Sequence, residues 1–269
     1  KELKNRMWRV LRPDALSALR DKRARKSLKR YFAVMEGRLP ARFLVCRRIP
    51  VNSSLSESDE ELWRAHDLAH REFKSVLERI DRGKLKLADL EEPEVSLLDL
   101  KIELAKRILK SCHFCEHRCG VDRTSGERGF CGVGAHPRVA SEFMHYGEEG
   151  VLVPSYTIFF SGCTFKCCFC QNWDISQDPE AGVEIKPTEL AKLIADAKKN
   201  GARNVNFVGG NPDPNLCTIL ETLRECEVNL SSVWNSNMYY SIETAKLLSG
   251  TQDVYLTDFK WGNNGCALK

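Results

Sequence analysis

Residues 156–172 read YTIFFSGCTFKCCFCQN, a short apolar run that leads directly into a loop rich in cysteine. The run Tyr156–Phe160 has the length and composition of a buried strand. The loop spaces Cys163, Cys167 and Cys170 as C-x3-C-x2-C, and three thiolates on one loop can hold three corners of a [4Fe–4S] cluster. Because this spacing supplies no fourth cysteine, the fourth iron would keep an open position for a small molecule.

Beyond residue 150, short apolar runs alternate with helical segments. Strands are predicted at 156–160, 205–208, 232–234 and 254–256, with helices at 187–199, 214–226 and 241–248. Such alternation is typical of βαβ units and of a parallel sheet. Since four parallel strands cannot close a barrel, we expect an α/β fold with a partial (β/α) barrel over residues 151–269, incomplete at its C-terminal end. An open, doubly wound sheet is the alternative.

Residues 1–110 are predicted to be helical and are basic at their start. Residues 1–50 hold 16 Lys and Arg residues against 4 Asp and Glu residues. Helical spacing of apolar residues predicts one helix between Asp14 and Gly37, a capping box at Ser58–Glu61 begins a second, and a third follows Ser96. So basic a segment usually forms a solvated helix face. A nucleic-acid partner is the less favoured alternative, because no nucleic-acid-binding fold is recognisable.

Cysteine usage points to metal. The chain has 12 cysteines, and 8 of them lie between residues 112 and 170. No run is apolar enough to span a membrane and the N-terminal residues do not resemble an export signal, so we expect a cytoplasmic protein without a membrane partner and without a disulfide framework. Residues 111–150 are predicted to be a metal-binding segment built on Cys112, Cys115, Cys119 and Cys131. Four thiolates satisfy either a closed zinc site or a second iron–sulfur cluster, and both remain open.

The cysteine loop resembles the signature of the radical S-adenosylmethionine (SAM) superfamily. Cys168 offers an alternative ligand within it, but Cys167 and Cys170 form the better chelating pair. The end of the second strand strengthens the resemblance, because Gly209 and Gly210 stand where the superfamily has its Gly-Gly-Glu-Pro motif. In this chain the motif continues with Asn-Pro, so the glutamate is absent.

The third and fourth strands end in sequences that resemble glycyl-radical-enzyme activating proteins, such as the pyruvate formate-lyase activating enzyme. Asn235 departs from the aspartate of that family, whereas Asp258 and Lys260 match its Asp-x-Lys motif. The resemblance covers residues 112–269 and extends to a branch in which a cysteine-rich head precedes the radical SAM domain.

The resemblance implies a mechanism and a set of site residues. One electron from a reduced [4Fe–4S] cluster cleaves SAM into methionine and a 5′-deoxyadenosyl radical, which takes a hydrogen atom from the substrate. Asp258 would lie at the barrel mouth as a catalytic residue, and Phe169 would pack against the adenine of SAM. The residues implied to contact SAM are Phe169, Gly209, Gly210, Ser236 and Asn237.

The resemblance also implies partners. They are an electron donor such as a flavodoxin or ferredoxin, and a protein substrate, the glycine of a glycyl radical enzyme. One alternative is radical SAM modification of RNA or of a small metabolite. The alternative from another class is a non-catalytic iron–sulfur electron carrier or scaffold, which would not need matching residues at successive strand ends.

Overall fold

A computed structural model describes residues 8–267 and places six strands in one sheet. Residues 1–7 of the predicted helical region and the last two residues of the predicted barrel lie outside this range. The sheet has the order β3-β1-β2-β4-β5-β6. Its strands are β1 Arg138–His145, β2 Ser155–Phe160, β3 Val183–Glu184, β4 Asn204–Gly209, β5 Ser231–Ser236 and β6 Val254–Thr257.

Helices precede the sheet and alternate with its strands. They are α1 Pro13–Ala18, α2 Lys22–Ser27, α3 Lys29–Met35, α4 Arg42–Cys46, α5 Asp59–Asp81, α6 Leu97–Lys110, α7 Trp173–Ser176, α8 Pro187–Lys199, α9 Leu216–Glu225, α10 Ile242–Leu248 and α11 Asn264–Ala267. The capping box predicted at Ser58 begins α5, and α6 follows Ser96 as predicted, with a capping box there that was not predicted. The single helix expected between Asp14 and Gly37 is wrong, because the chain forms three short helices there and Asp21 caps the second of them. None of the helices within residues 8–267 is long and apolar enough to cross a membrane.

The four predicted strands are all present and lie parallel to one another. Strands β2, β4, β5 and β6 pair in that order, and a helix follows each of the first three. Two further strands were not predicted. Strand β1 pairs antiparallel with β2, and the short β3 pairs antiparallel with β1. Strand β1 lies inside the segment 111–150 that we expected to bind metal, so part of that segment belongs to the sheet.

The helical region packs on the sheet through one continuous hydrophobic core. Phe43, Phe73 and Leu98 of the first 110 residues belong to the same buried cluster as Phe207 and Trp234 of the sheet. Burial of aromatic and aliphatic side chains on both sides of this contact joins the two parts into one packed body.

Helix α3 packs against the sheet near the start of its parallel strands. Tyr31 and Phe32 of α3 pack there against Leu152 and Val233. The hydroxyl of Tyr31 accepts a hydrogen bond of 3.1 Å from Asn204, the first residue of β4. Helix α3 therefore covers the end of the sheet where the parallel strands begin, and the opposite end contains the cavity described below.

Some of the basic residues at the start of the chain form ion pairs within the fold. The guanidinium of Arg30 lies 3.1 Å from Asp81 of α5 and 3.0 Å from Asp253, which directly precedes β6. Arg25 pairs with Glu36 at 2.5 Å. Arg30 therefore ties the short helices to the rest of the fold and Arg25 ties them to one another, which accounts for a share of the positive charge at the start of the chain.

Candidate active site

A cavity of about 750 Å³ lies at the ends of the parallel strands. Ligand sites of parallel α/β folds lie at the carboxyl ends of the strands, and this cavity has the size of a typical ligand pocket. All the residues predicted for the first cysteine loop and the SAM site line it: Cys163, Cys167, Phe169, Cys170, Gly209, Gly210, Ser236, Asn237 and Asp258. The fold therefore brings together residues that lie up to 95 positions apart in the sequence.

The three thiols of the loop lie in one electrostatic environment. Cys163 and Cys167 are buried, and Cys170 is partly buried. Burial, together with the neighbouring thiols of Cys167 and Cys170, raises the pKa of Cys163 to about 11. Thiolates crowded in this way favour a positively charged iron centre, because the metal ligand is the deprotonated sulfur.

The donor set suits an iron–sulfur cluster better than a single ion. Within residues 8–267, no three His, Cys, Asp or Glu side chains converge on one metal position. The thiolates of a [4Fe–4S] cluster each bind a different iron and need not converge on one point. Cys163, Cys167 and Cys170 around a common cavity fit such a cluster with one iron left open.

Two glycines allow the end of β4 to approach the cysteine loop closely. Gly209 has a φ of +120°, and a Cβ there would lie 2.2 Å from the backbone nitrogen of Phe160. A Cβ on Gly210 would lie 2.1 Å from the carbonyl oxygen of Gly162, one residue before the first cysteine. Any side chain at Gly210 would therefore displace the loop that carries the thiols.

Asn211 and Asn237 hold the cysteine loop from two strand ends. Their amide nitrogens donate hydrogen bonds to Thr164 Oγ1, at 2.8 Å from Asn211 and 2.9 Å from Asn237. Thr164 is fully buried between the first two cysteines of the motif. Asn237, predicted as a SAM contact, thus lines the cavity and also positions the loop.

Asp213 is a buried carboxyl group that the sequence reasoning missed. Its Oδ1 accepts from Trp234 Nε1 at 3.1 Å and Ser236 Oγ at 2.6 Å, and its Oδ2 accepts from Asn211 Nδ2 at 2.9 Å. Burial raises the pKa of Asp213 to about 6, although these three hydrogen bonds oppose the rise. The sequence signal that could have identified it is an acidic residue two positions after the Gly-Gly-Asn sequence of residues 209–211, in a segment with no other charged residue.

Two predicted residues lie at the open side of the cavity. Phe169 is 53% exposed, and its ring meets the edge of Trp261 at a centroid distance of 5.8 Å. Asp258 is also exposed and accepts a hydrogen bond of 2.6 Å from Lys260, so the two matching residues of the Asp-x-Lys motif pair with each other. An exposed aromatic ring beside a cavity is suited to stack on a flat group such as adenine.

The second cysteine group is compact. Cys112 and Cys115 are buried, and a short ladder of backbone hydrogen bonds joins Cys112 to Gly120 and Val121. Burial raises the pKa of Cys115 to about 12, and the nearby thiols of Cys131, Cys112 and Cys119 add to this. The other three thiols therefore lie near enough to Cys115 to affect it, although within residues 8–267 no three of the four converge on one ion position.

The two cysteine groups are joined by direct contacts. His117 Nε2 donates a hydrogen bond of 2.8 Å to the carbonyl oxygen of Thr164, inside the first cysteine motif. The imidazole of His117 stacks on Phe130 at 3.9 Å, next to Cys131. Cys115 forms an isolated antiparallel bridge with Tyr240, just beyond β5. The second group therefore packs against the loop and strand end that form the cavity.

Comparison with known proteins agrees with this geometry. The model of the Radical SAM superfamily matches residues 157–263. "Uncharacterized protein MJ0674" of Methanocaldococcus jannaschii is 49% identical over 245 residues, which cover 89% of this chain and 70% of that protein. "Uncharacterized protein MJ0808" of the same organism is 31% identical over 102 residues, 30% of each chain. No solved structure matches.

Superfamily membership implies a [4Fe–4S] cluster and SAM, and the donor set at the mouth of the sheet fits both. The identity with the first methanogen protein extends across most of both chains, well beyond the matched domain. The chain therefore belongs to the family of that protein, and its residues 157–263 form a Radical SAM superfamily domain, which supports a radical SAM enzyme.

Proposed function

We propose that this chain binds a [4Fe–4S] cluster through Cys163, Cys167 and Cys170, cleaves SAM reductively and abstracts a hydrogen atom from a substrate held in the same cavity. One observation carries the proposal. The three thiols and the residues at the ends of β4, β5 and β6 line a single cavity of about 750 Å³. A protein that only carries electrons does not need a ligand-sized cavity beside its cluster.

The residues of the chain have separate tasks in this proposal. When bound, the cluster supplies the electron that breaks a carbon–sulfur bond of SAM and so starts hydrogen abstraction. Gly209 and Gly210 let the strand end lie against the loop. Asn211 and Asn237 hold Thr164 and thereby the loop itself.

The charge of SAM has a complement in the cavity wall. The carboxyl of Asp213 lies behind Ser236 and Asn211, both of which line the cavity. Its negative charge polarises these two side chains, and this favours binding of the positively charged ammonium group of SAM. Phe169, at the open side, would cover the adenine, and Asp258 would take its place at the ribose or the substrate.

Two substrate classes remain. Similarity to glycyl-radical-enzyme activating proteins supports a glycine in a protein chain, although Asn211 and Asn235 stand where that family has acidic residues. A small molecule is the second candidate. It is favoured by the aromatic side chains Phe143 and Phe159, which line the same cavity.

Delivery of the electron is also part of the proposal. We expect a flavodoxin or ferredoxin as the donor. The four thiols Cys112, Cys115, Cys119 and Cys131 hold either zinc or a second iron–sulfur cluster. The contact between His117 and Thr164 supports a role for this group beside the first cluster, because it joins the two cysteine loops directly.

The test uses protein reconstituted without oxygen and reduced with dithionite. Iron and zinc are counted per chain, electron paramagnetic resonance spectra are recorded with and without SAM, and 5′-deoxyadenosine is measured by chromatography. We expect a [4Fe–4S]⁺ signal that shifts when SAM is added, together with release of 5′-deoxyadenosine. A cluster whose signal ignores SAM, with no 5′-deoxyadenosine formed, would overturn the proposal. About four irons with one zinc would indicate zinc at the second group, and about eight irons a second cluster.

A further inference from the structure

The cavity of the proposed SAM site extends to the two antiparallel strands β1 and β2. Its lining there consists of Ser141, Phe143, His145, Glu148 and Phe159. None of these residues belongs to the cysteine loop or to the ends of β4, β5 and β6. The proposed SAM site does not include these residues, so SAM binding does not account for this part of the cavity.

Aromatic rings form one side of this region. Phe143 and Phe159 stack with a centroid distance of 5.3 Å and an angle of 14° between their planes. The ring of His145 meets Phe143 edge-on at 5.5 Å and Phe159 at 6.2 Å. Phe143 is nevertheless 45% exposed, so its surface is available to a flat ligand.

A carboxyl group lies beside these rings. The side chain of Glu148 is only 11% exposed, and its Oε1 accepts from Asn206 Nδ2 at 2.9 Å and lies 3.1 Å from His145 Nδ1. Within residues 8–267, Oε2 of Glu148 has no hydrogen-bond partner. Burial raises the pKa of Glu148, and the bonds from His145 and Asn206 oppose the rise. Oε2 is not one of the buried unpaired atoms, so it is accessible from the cavity that Glu148 lines and can accept a hydrogen bond from a ligand.

A second acceptor without a partner adjoins it. Asn206 on β4 is fully buried, and its Oδ1 has no hydrogen-bond partner among the described residues. The bond from its Nδ2 to Glu148 sets which way the amide faces. Asn206 is not among the residues that line the cavity, so its role here is to hold Glu148 Oε1, and Glu148 Oε2 is left as the acceptor for a ligand that brings an N–H group.

The charges around the cavity exclude an acidic ligand from this region. Its lining carries the carboxylates of Glu148, Asp174 and Asp258, and among the described residues only one cationic side chain besides histidine, Lys260. Lys260 already pairs with Asp258 at 2.6 Å. A phosphate or carboxylate would meet no free cation here, whereas a cation would meet a desolvated carboxylate.

We propose that this part of the cavity is the substrate subsite, and that it binds a small molecule with a planar ring bearing an amidine, guanidine or amino group. The ring lies on Phe143 and Phe159, and its N–H donors face Glu148. This inference rests on the proposed function, because it takes the hydrogen donor to be bound in the cavity beside SAM.

Benzamidine, a planar aromatic cation, is the probe, and benzoate is its anionic counterpart of the same shape. Calorimetric titration of the reconstituted protein should show saturable binding of benzamidine and none of benzoate. Glu148→Gln should weaken benzamidine binding about tenfold or more, since it removes a charge-assisted hydrogen bond. Phe143→Ala, at an exposed position that does not endanger folding, should weaken it severalfold. Glu149→Gln removes the same charge next door, on an exposed residue that does not line the cavity, and should leave binding unchanged.

Absence of benzamidine binding would overturn the subsite, and so would either of two further results. They are benzoate binding as tightly as benzamidine, or unchanged benzamidine affinity in both Glu148→Gln and Phe143→Ala. Measurement of 5′-deoxyadenosine from the wild-type protein separates this outcome from failure of the proposed function. If SAM is cleaved but benzamidine does not bind, the subsite is wrong and the enzyme assignment stands. If benzamidine binds through Glu148 but SAM is not cleaved, the proposed function is wrong and the subsite stands.

Discussion

The carboxyl group of Asp213 accepts a hydrogen bond of 2.6 Å from the hydroxyl of Ser236. This bond joins the turn after β4 to the last residue of β5, two strand ends that both border the cavity. Through Asn211 the same carboxyl group is linked to Thr164 in the cysteine loop. Asp213 thus lies at the centre of the polar network that sets the position of three loops around the proposed SAM site.

The ionisation of Asp213 should make stability depend on pH. Burial raises its pKa from 3.8 to about 6 in the folded chain, so the folded state holds the proton more tightly than the unfolded state does. The resulting stabilisation is complete below about pH 4 and is lost as the pH rises through 6. Urea unfolding of metal-free wild type and Asp213→Asn from pH 4 to 7 should show the wild type losing up to about 3 kcal/mol relative to the variant. Parallel stability curves for the two proteins would contradict the assignment.

Replacement of single cysteines should separate ligands from bystanders in the first loop. Cys163→Ala should abolish the SAM-dependent shift of the resonance signal and the release of 5′-deoxyadenosine, because two thiolates do not hold the cluster. Cys168→Ala is the matched control. Its thiol is exposed, lies in the same loop and does not line the cavity. We expect it to retain most of its iron, and equal loss of iron in both variants would contradict the ligand set.

A methyl group at Gly210 should disturb the loop without touching a thiol. The new Cβ would lie 2.1 Å from the carbonyl oxygen of Gly162, so the backbone must move. We expect Gly210→Ala to destabilise the protein by about 1–3 kcal/mol and to lower its iron content after reconstitution. Gly262→Ala serves as the control, since a Cβ there meets nothing within 4 Å. Thermal unfolding and iron analysis of both variants would reveal whether the close approach matters.

The second cysteine group should hold its own metal. Cys115→Ala should lower total zinc or iron per chain and reduce stability, while the SAM-dependent signal of the first cluster persists. Cys226→Ala removes a thiol that is equally buried but has no cysteine partner, and it should leave metal content unchanged. Loss of the SAM-dependent signal in a folded Cys115→Ala protein would mean that the two groups are not separate sites.

Several features followed from local sequence patterns. The capping box at Ser58 predicts the start of a helix because it acts within one turn of the chain. The helix Pro187–Lys199 and the four parallel strands could also be predicted, because helical spacing and short apolar runs are likewise local patterns. The spacing of Cys163, Cys167 and Cys170 identified the loop, since ligands on one short loop are necessarily close in space.

Other features depended on contacts between distant segments. Strand β1 was missed because its residues 138–145 alternate poorly between buried and exposed positions, and only pairing with β2 makes them a strand. Asp213 was missed because its partners Trp234 and Ser236 come from the next strand. The role of Asn237 in holding Thr164 likewise joins residues 73 positions apart.

The sequence by itself determined the chemistry, namely which thiols lie on one loop, which glycines end a strand and which superfamily the motifs resemble. Only the tertiary structure decided which polar groups meet around the cavity, including Asp213 beneath Ser236 and Glu148 beside Phe143 and Phe159. The physical reason is that a carboxyl group depends on a few neighbouring side chains only when it is buried. Burial is a property of the packed fold, and no local sequence pattern indicates it.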